Sequence, residues 1–289
     1  MVNRSKLPYL LLLPAMVLYG IFFVFPFFYS LMLSFNDWNL LTGQTTYVGM
    51  RNYEQLVNSK VFWASVRNTL LFVLVKTPFS MVLGLAYALL IEQTKKAKVV
   101  YRFIFFIPVV ISVAAASLSF GLMYNQRNGL INQFLALVGI SGPNWLNQPT
   151  TALIAIMILG VWQSFGYNVI LYMAGIQQLD RELYEAADID GTSSWTKLTR
   201  ITIPLLSPVT FFVFVMTTLF SFQVFATVQI LTMGGPSNAT NVMVFFVWQE
   251  AFKFFNTGVA SSAATVLFTM MLVLTVFMVR IVQQKVHYQ

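Results

Sequence analysis

Two groups of residues in this 289-residue chain have types and spacings suited to chemistry. The first is a set of amides, hydroxyls and aromatics inside apolar runs. It holds Gln163, Ser164, Tyr167 and Asn168 within two helical turns, then Phe220, Ser221, Phe222, Gln223, Phe225 and Gln229. Such groups hydrogen-bond and stack; they do not break bonds. The second is a charged island between two apolar runs, Glu185-Ala186-Ala187-Asp188-Ile189-Asp190-Gly191, followed by Ile201-Thr202-Ile203-Pro204. With Asp180 and Glu182 it carries five of the nine acids of the chain. Its chemistry is that of a surface another protein can grip. No Ser-His-Asp set is possible, because the single histidine is His287 in the tail, and no G-x-x-x-x-G-K-[ST] or H-E-x-x-H run occurs.

The elements that hold these groups follow from composition. The chain is 58% hydrophobic and 9% charged, against roughly 25% charged in soluble domains. A polytopic membrane protein is expected. Without cysteine there is no disulfide, zinc or thiol chemistry. The net charge of +8 reads as basic residues kept on the cytoplasmic side, not as a nucleic-acid partner. A membrane-crossing helix needs about 20 mostly apolar residues, and six runs qualify: about 9–33, 68–91, 102–124, 151–175, 205–231 and 259–282. The first follows Arg4 and Lys6, is too long for a signal-peptide core and reads as uncleaved. Together the six predict an all-α membrane protein forming one domain over residues 1–289.

Basic residues orient it. With the N-terminus inside, the inner segments hold Arg4, Lys6, Lys95, Lys96, Lys98, Arg102, Arg181, Lys197, Arg200, Arg280 and Lys285. The outer segments hold Arg51, Lys60, Arg67, Arg127 and Lys253. That asymmetry puts both termini in the cytoplasm. Lys95-Lys96-Ala97-Lys98 is an anchor to anionic lipid. Prolines 14, 26, 78, 108 and 208 are expected to interrupt the spans.

The island has helix-turn-helix grammar. Residues 181–190 lack Gly and Pro, and Gly191 is a C-terminal stop. Thr192, Ser193 and Ser194 offer N-cap hydroxyls for a second helix, which Pro204 ends or follows with the next.

This pattern resembles the EAA loop of the membrane subunits of bacterial binding-protein-dependent ABC importers: Glu-Ala-Ala, three residues, Gly, nine residues, then Ile-x-Leu-Pro. Ile203 stands where that pattern has Leu. Leu11 to Asn36, with Phe25-Pro26 and Ser34-Phe35-Asn36, is similar to the first span of maltose- and glycerol-3-phosphate-type permeases. Trp162 to Asn168 and Tyr172 to Gln177 resemble their fourth core span. Leu231-Thr232-Met233-Gly234-Gly235-Pro236 with Ala239-Thr240 resembles the loop after the fifth, in the form typical of the first of two unlike permeases.

The resemblance implies a type I ABC importer permease fold in the bacterial inner membrane, transporting a carbohydrate and doing no catalysis itself. ATP and Mg would sit on two partner ATPase subunits, with no cofactor in this chain. Further partners would be a second homologous permease, an extracellular or periplasmic sugar-binding protein and the lipid bilayer. The loop at 176–204 would couple to the ATPase through Glu185, Ala186, Ala187, Gly191, Ile201 and Pro204. The substrate path would use Gln163, Tyr167, Asn168, Phe220, Ser221, Gln223, Phe225 and Lys76.

From the residues alone, two roles stay open for Gln163, Asn168 and Gln223: lining a polar path, or bonding helices together. The phenylalanines are equally suited to lipid or core packing. Lys76, two turns inside the second run, either snorkels to the outer surface or faces a cavity. An ion-coupled secondary transporter is the alternative function. It would place acids inside spans and show internal repeats, whereas all nine acids lie in connectors or at span ends.

Overall fold

The computed structural model describes residues 7–38, 43–94 and 98–282. Arg4, Lys6, Lys95, Lys96 and Lys285, used above for orientation, and His287 lie outside them. The described chain is almost entirely helical.

In chain order, α1 (Leu7–Tyr19) runs through a π-helical turn at Gly20–Val24 into α2 (Phe25–Leu33). A two-stranded antiparallel ribbon follows, β1 (Asn36–Trp38) with β2 (Thr45–Tyr47), Asp37 opposite Thr46. Then come α3 (Arg51–Asn58), α4 (Lys60–Gln93), α5 (Lys98–Val110), α6 (Val113–Met123), α7 (Leu130–Leu137) and α8 (Pro149–Ile176). The island forms α9 (Arg181–Ile189) and α10 (Ser194–Lys197), which continues through a π turn at Leu198–Thr202 into α11 (Ile203–Leu205). The chain closes with α12 (Ser207–Phe222), α13 (Ala226–Leu231), α14 (Met243–Trp248), a π turn at Gln249–Lys253, α15 (Thr257–Phe277) and a last π turn at Met278–Val282.

Among the described residues four helices are long and apolar enough to cross a membrane, or up to six if each of two bent pairs is one span. The two bends fall near Pro108 and Pro208, two of the five prolines expected to interrupt spans. The third run breaks by 94° between α5 and α6, where Ser112 accepts a hydrogen bond from the Ala115 N–H at 3.2 Å and starts a new helix. Pro108, which lacks a donor for its turn, lies just before that break. The segment Ser194–Leu205 meets α12 at 65°, and Pro208 sits in the first turn of α12, where no N–H is needed.

The fifth run also stops early. Between α12 and α13 the chain leaves helical geometry, with Phe225 at φ −141° and ψ −64°. Gln223 and Phe225 therefore lie in a break and not at mid-helix. Pro14 and Pro78, by contrast, interrupt nothing: both sit inside unbroken helices. α4 starts at Lys60 and not near 68; its polar first turns hide helix from hydropathy, although Phe62, Ser65 and Val66 are buried.

Two prolines share one local solution. The N–H of Phe25 bonds the carbonyl of Gly20, and that of Ile203 bonds the carbonyl of Leu198. In both places a wider π turn ends just before a proline that opens the next helix.

The chain divides into two compact units, residues 1–62 with 246–269, and residues 63–245 with 270–289. In the first, the Asn52 amide donates to the carbonyls of Ser34 (2.9 Å) and Asn36 (3.0 Å), and the Ser262 hydroxyl donates to Ser34 O (3.0 Å). Phe27 and Phe268 stack at 4.7 Å.

In the second unit α8 is central. Ala88 and Ile91 of α4, Val169, Tyr172 and Met173 of α8 and Val213 of α12 form one buried cluster. Small residues let backbones close in, as is usual in membrane bundles. A Cβ on Gly84 would lie 2.6 Å from the Asn168 Cβ, and one on Gly166 only 2.1 Å from the Phe105 carbonyl oxygen. The Asn68 amide donates to Asn238 O (2.8 Å) and Asn241 O (2.9 Å), bracing the Gly-Gly-Pro loop against α4.

Candidate functional site

The charged island folds into a two-helix knob built from short-range contacts. Asp180 caps α9 by accepting the Glu182 N–H at 3.0 Å. Gly191 takes a left-handed φ of +68°, and the Thr192 N–H reaches back to Ala187 O at 3.0 Å, closing the helix end. Of the three candidate hydroxyls it is Ser193 that caps the next helix, accepting the Thr196 N–H at 3.2 Å. Two side-chain ties hold the helices together: Tyr184 Oη with Thr202 Oγ1 at 2.8 Å, and an ion pair of Lys197 with Asp188.

The outer face of the knob is available for contact. Glu185 and Ala186 are exposed while Ala187 is buried against the knob itself. Glu185 has no ion pair among the described residues. Ile189 and Trp195 are 88% and 72% exposed. Ile201 and Pro204 are half-buried. Beneath the knob, Glu92 at the end of α4 accepts from Gln177 Nε2 at 2.8 Å and pairs with Lys98, joining the ends of α4, α5 and α8. That junction had no local signal, since Glu92 and Gln177 are 85 positions apart.

The amide set is partly brought together. Gln163, Ser164, Tyr167 and Asn168 of α8 and Thr217 and Phe220 of α12 line one recess of about 270 Å³. Asn168 is 1% exposed. Its Oδ1 accepts from Thr217 Oγ1 at 3.1 Å, and its Nδ2 has no acceptor. A buried amide N–H without a partner costs on the order of 1–3 kcal/mol, so this is a donor held ready inside a recess. Thr217 was not anticipated; its signal is the helical spacing from Phe220 and Ser221.

Other expected residues lie elsewhere. Ser221 faces α4, donating to Thr217 O at 2.6 Å and meeting Thr77 Oγ1 at 3.4 Å, a helix-to-helix tie. Gln223 is exposed at the end of α12, and Phe225 packs on Phe245 at 6.1 Å. Lys76 is buried outside this recess. Among the described residues no group of three acids or histidines is placed to hold a metal ion.

A bundle of bent apolar helices with an exposed two-helix knob and a small polar recess is the architecture of an integral membrane component. Residues 6–288 match the family described as binding-protein-dependent transport system inner membrane component, and the chain belongs to it. It is 35% identical over 285 residues to the probable ABC transporter permease protein YurN of Bacillus subtilis, covering 97% of each chain. It is 32% identical to the trehalose/maltose transport system permease protein MalF of Thermococcus litoralis, covering 96% of this chain and 94% of that one. In fold it is similar to a bacterial ABC transporter involved in import of the acidic polysaccharide alginate, with TM-score 0.86, 22% identity, and coverage of 97% and 96%.

Proposed function

We propose that this chain is the membrane-spanning subunit of an ATP-driven carbohydrate importer in the bacterial inner membrane. It crosses six times with both termini cytoplasmic, counting each bent pair as one crossing. It forms half of the translocation pathway, and a second homologous permease forms the other half. ATP and Mg are held by two ATPase subunits that grip the knob at 176–204, and a sugar-binding protein loads the outer side. The relatives named for trehalose and maltose transport support a sugar as cargo.

The observation that carries this reading is the knob. Its two helices are capped and tied by their own residues, yet Glu185, Ile189 and Trp195 stay exposed, Glu185 with no ion pair among the described residues. A rotation of the ATPase pair would pass through it to α8 and α12 as a rigid-body change between discrete states. A stripped sugar hydroxyl loses several kcal/mol of hydrogen bonding in hydrocarbon, and the recess on those two helices offers amides and aromatic faces in exchange. Its volume suits about one sugar ring, at the small end of ligand pockets.

The test is the complete importer, with the second permease, ATPase and binding protein of the same transport system. Glu185→Lys is expected to insert at normal levels but to retain under a tenth of the ATPase on affinity purification. Normal ATPase retention together with normal sugar uptake would overturn the reading.

A further inference from the structure

Lys76 stands at the centre of α4, with sixteen helical residues before it and seventeen after. It is only 6% exposed. Its ammonium has no hydrogen bond or ion pair among the described residues; its one polar-type contact is the Phe72 ring, 5.7 Å away. The nearest acid on the same helix, Glu92, is about 24 Å further along and is already engaged by Lys98 and Gln177. A central lysine in a membrane helix costs on the order of 2.5–3.5 kcal/mol. Snorkelling would lower that cost by bringing the ammonium to headgroups and water, but protein covers this side chain.

Its placement is specific. α4 and α8 run side by side in step: Lys76 lies against Gly160, and eight residues on along both helices Gly84 lies against Asn168. A Cβ on Gly160 would come 2.9 Å from the Phe72 ring and 3.5 Å from Lys76 Cδ. The lysine stem therefore crosses α8 at a position that has no side chain. Gly160 is also the next member of the recess stripe, three residues before Gln163 and four before Ser164 on one face of α8. The stem thus passes α8 about one helical turn, roughly 5.4 Å, beyond the end of the polar recess, and carries the ammonium over the Phe72 ring.

We infer that Lys76 is a specificity residue of the transport path: its ammonium is the counter-charge for an anionic carbohydrate, one bearing a carboxylate, sulfonate or phosphate. A neutral sugar in the recess would leave the three ammonium donors unanswered; an acidic substituent pointing along the α8 stripe answers them with charge-assisted hydrogen bonds. This inference rests on the sugar path proposed above and adds its charge.

The test uses the complete importer in proteoliposomes, with uptake normalised to assembled complex. The probes are glucuronate, digalacturonate and glucose 6-phosphate against maltose, trehalose and lactose. Wild type is expected to take up at least one anionic probe faster than every neutral one. Lys76→Met is expected to lose that uptake at least tenfold, and Lys76→Arg to keep it within threefold. Should Met prevent assembly, Lys76→Gln gives the same comparison. Uptake of neutral probes alone by wild type, or undiminished anion uptake by Lys76→Met or Lys76→Gln, overturns the inference and leaves the carbohydrate path standing. Uptake of none of the six by wild type overturns both.

Discussion

The knob and the recess lie at opposite extremes of sequence range. The caps and ties within the two knob helices join residues at most 18 positions apart: Asp180 with Glu182, Ala187 with Thr192, Ser193 with Thr196, Asp188 with Lys197, Tyr184 with Thr202. The recess depends on Asn168 meeting Thr217, 49 positions on, and on Gly84 lying against Asn168 from 84 positions away. A locally specified element can be moved as a unit without losing its shape. A site assembled from distant helices changes shape whenever those helices shift, which is what a transport path must do.

The contrast can be broken most severely at the helix contact behind the recess. Gly84→Leu forces a Cβ to within 2.6 Å of Asn168 Cβ and 3.2 Å of its backbone carbon. Overpacking of this kind costs about 1–3 kcal/mol or more. The expected result is a more than tenfold loss of assembled complex in membranes, measured by size exclusion; a normal yield with normal melting would show that α4 and α8 are not in this contact. A change in the knob spares insertion. Gly191→Val puts a β-branched residue at φ +68°, at about 1–2 kcal/mol. ATPase retention is expected to fall five- to tenfold at unchanged membrane level, and retention equal to wild type would refute the left-handed turn.

Within the recess, stability and activity are expected to part. Asn168→Leu removes an amide N–H that has no partner. The unmet donor is gone but Thr217 Oγ1 loses its acceptor, two effects of similar size, so the empty complex should melt within a few degrees of wild type while sugar uptake falls about fivefold. Lower melting with full uptake would instead make Asn168 a packing residue. Gln163→Ala is expected to lower uptake two- to fivefold with assembly intact, and full-rate transport at every sugar concentration would remove it from the path. The smallest effect belongs to Tyr184→Phe. It deletes one hydrogen bond to Thr202, about 0.5–1.5 kcal/mol, and should reduce ATPase retention by less than threefold; no change at all would mean the Asp188–Lys197 pair alone holds the knob.

What could be read from the residues follows the same division. Gly191 as a stop and a capping hydroxyl at 192–194 depend on near neighbours, and the turn and the cap lie where those signals put them. The break at 223–225 was not legible, and the one at 111–112 was signalled only by Pro108 nearby. Hydropathy reports whether a stretch prefers lipid, not whether its axis continues, and α5 ends two residues after Pro108 while α4 runs on fifteen residues past Pro78. The amide stripe on α8 was visible as residue types. That Ser221 would turn away from it was not, because it is set by packing against α4, where Ser221 meets Thr77 from 144 positions away. Lys76 was conspicuous as a cation in an apolar run, but its bed on Gly160 exists only once two helices 84 positions apart are aligned.

The turn at Gly191 carries one more consequence. A Cβ built there meets no atom within 4 Å, so the position is not short of room. It rejects L side chains by handedness alone. A mirror-image alanine at 191 prefers the very backbone angles found there, and a chain carrying D-alanine, made by peptide ligation across the knob, would turn as glycine does with less freedom to lose. The requirement at this elbow is one of chirality, where at Gly84 it is one of volume.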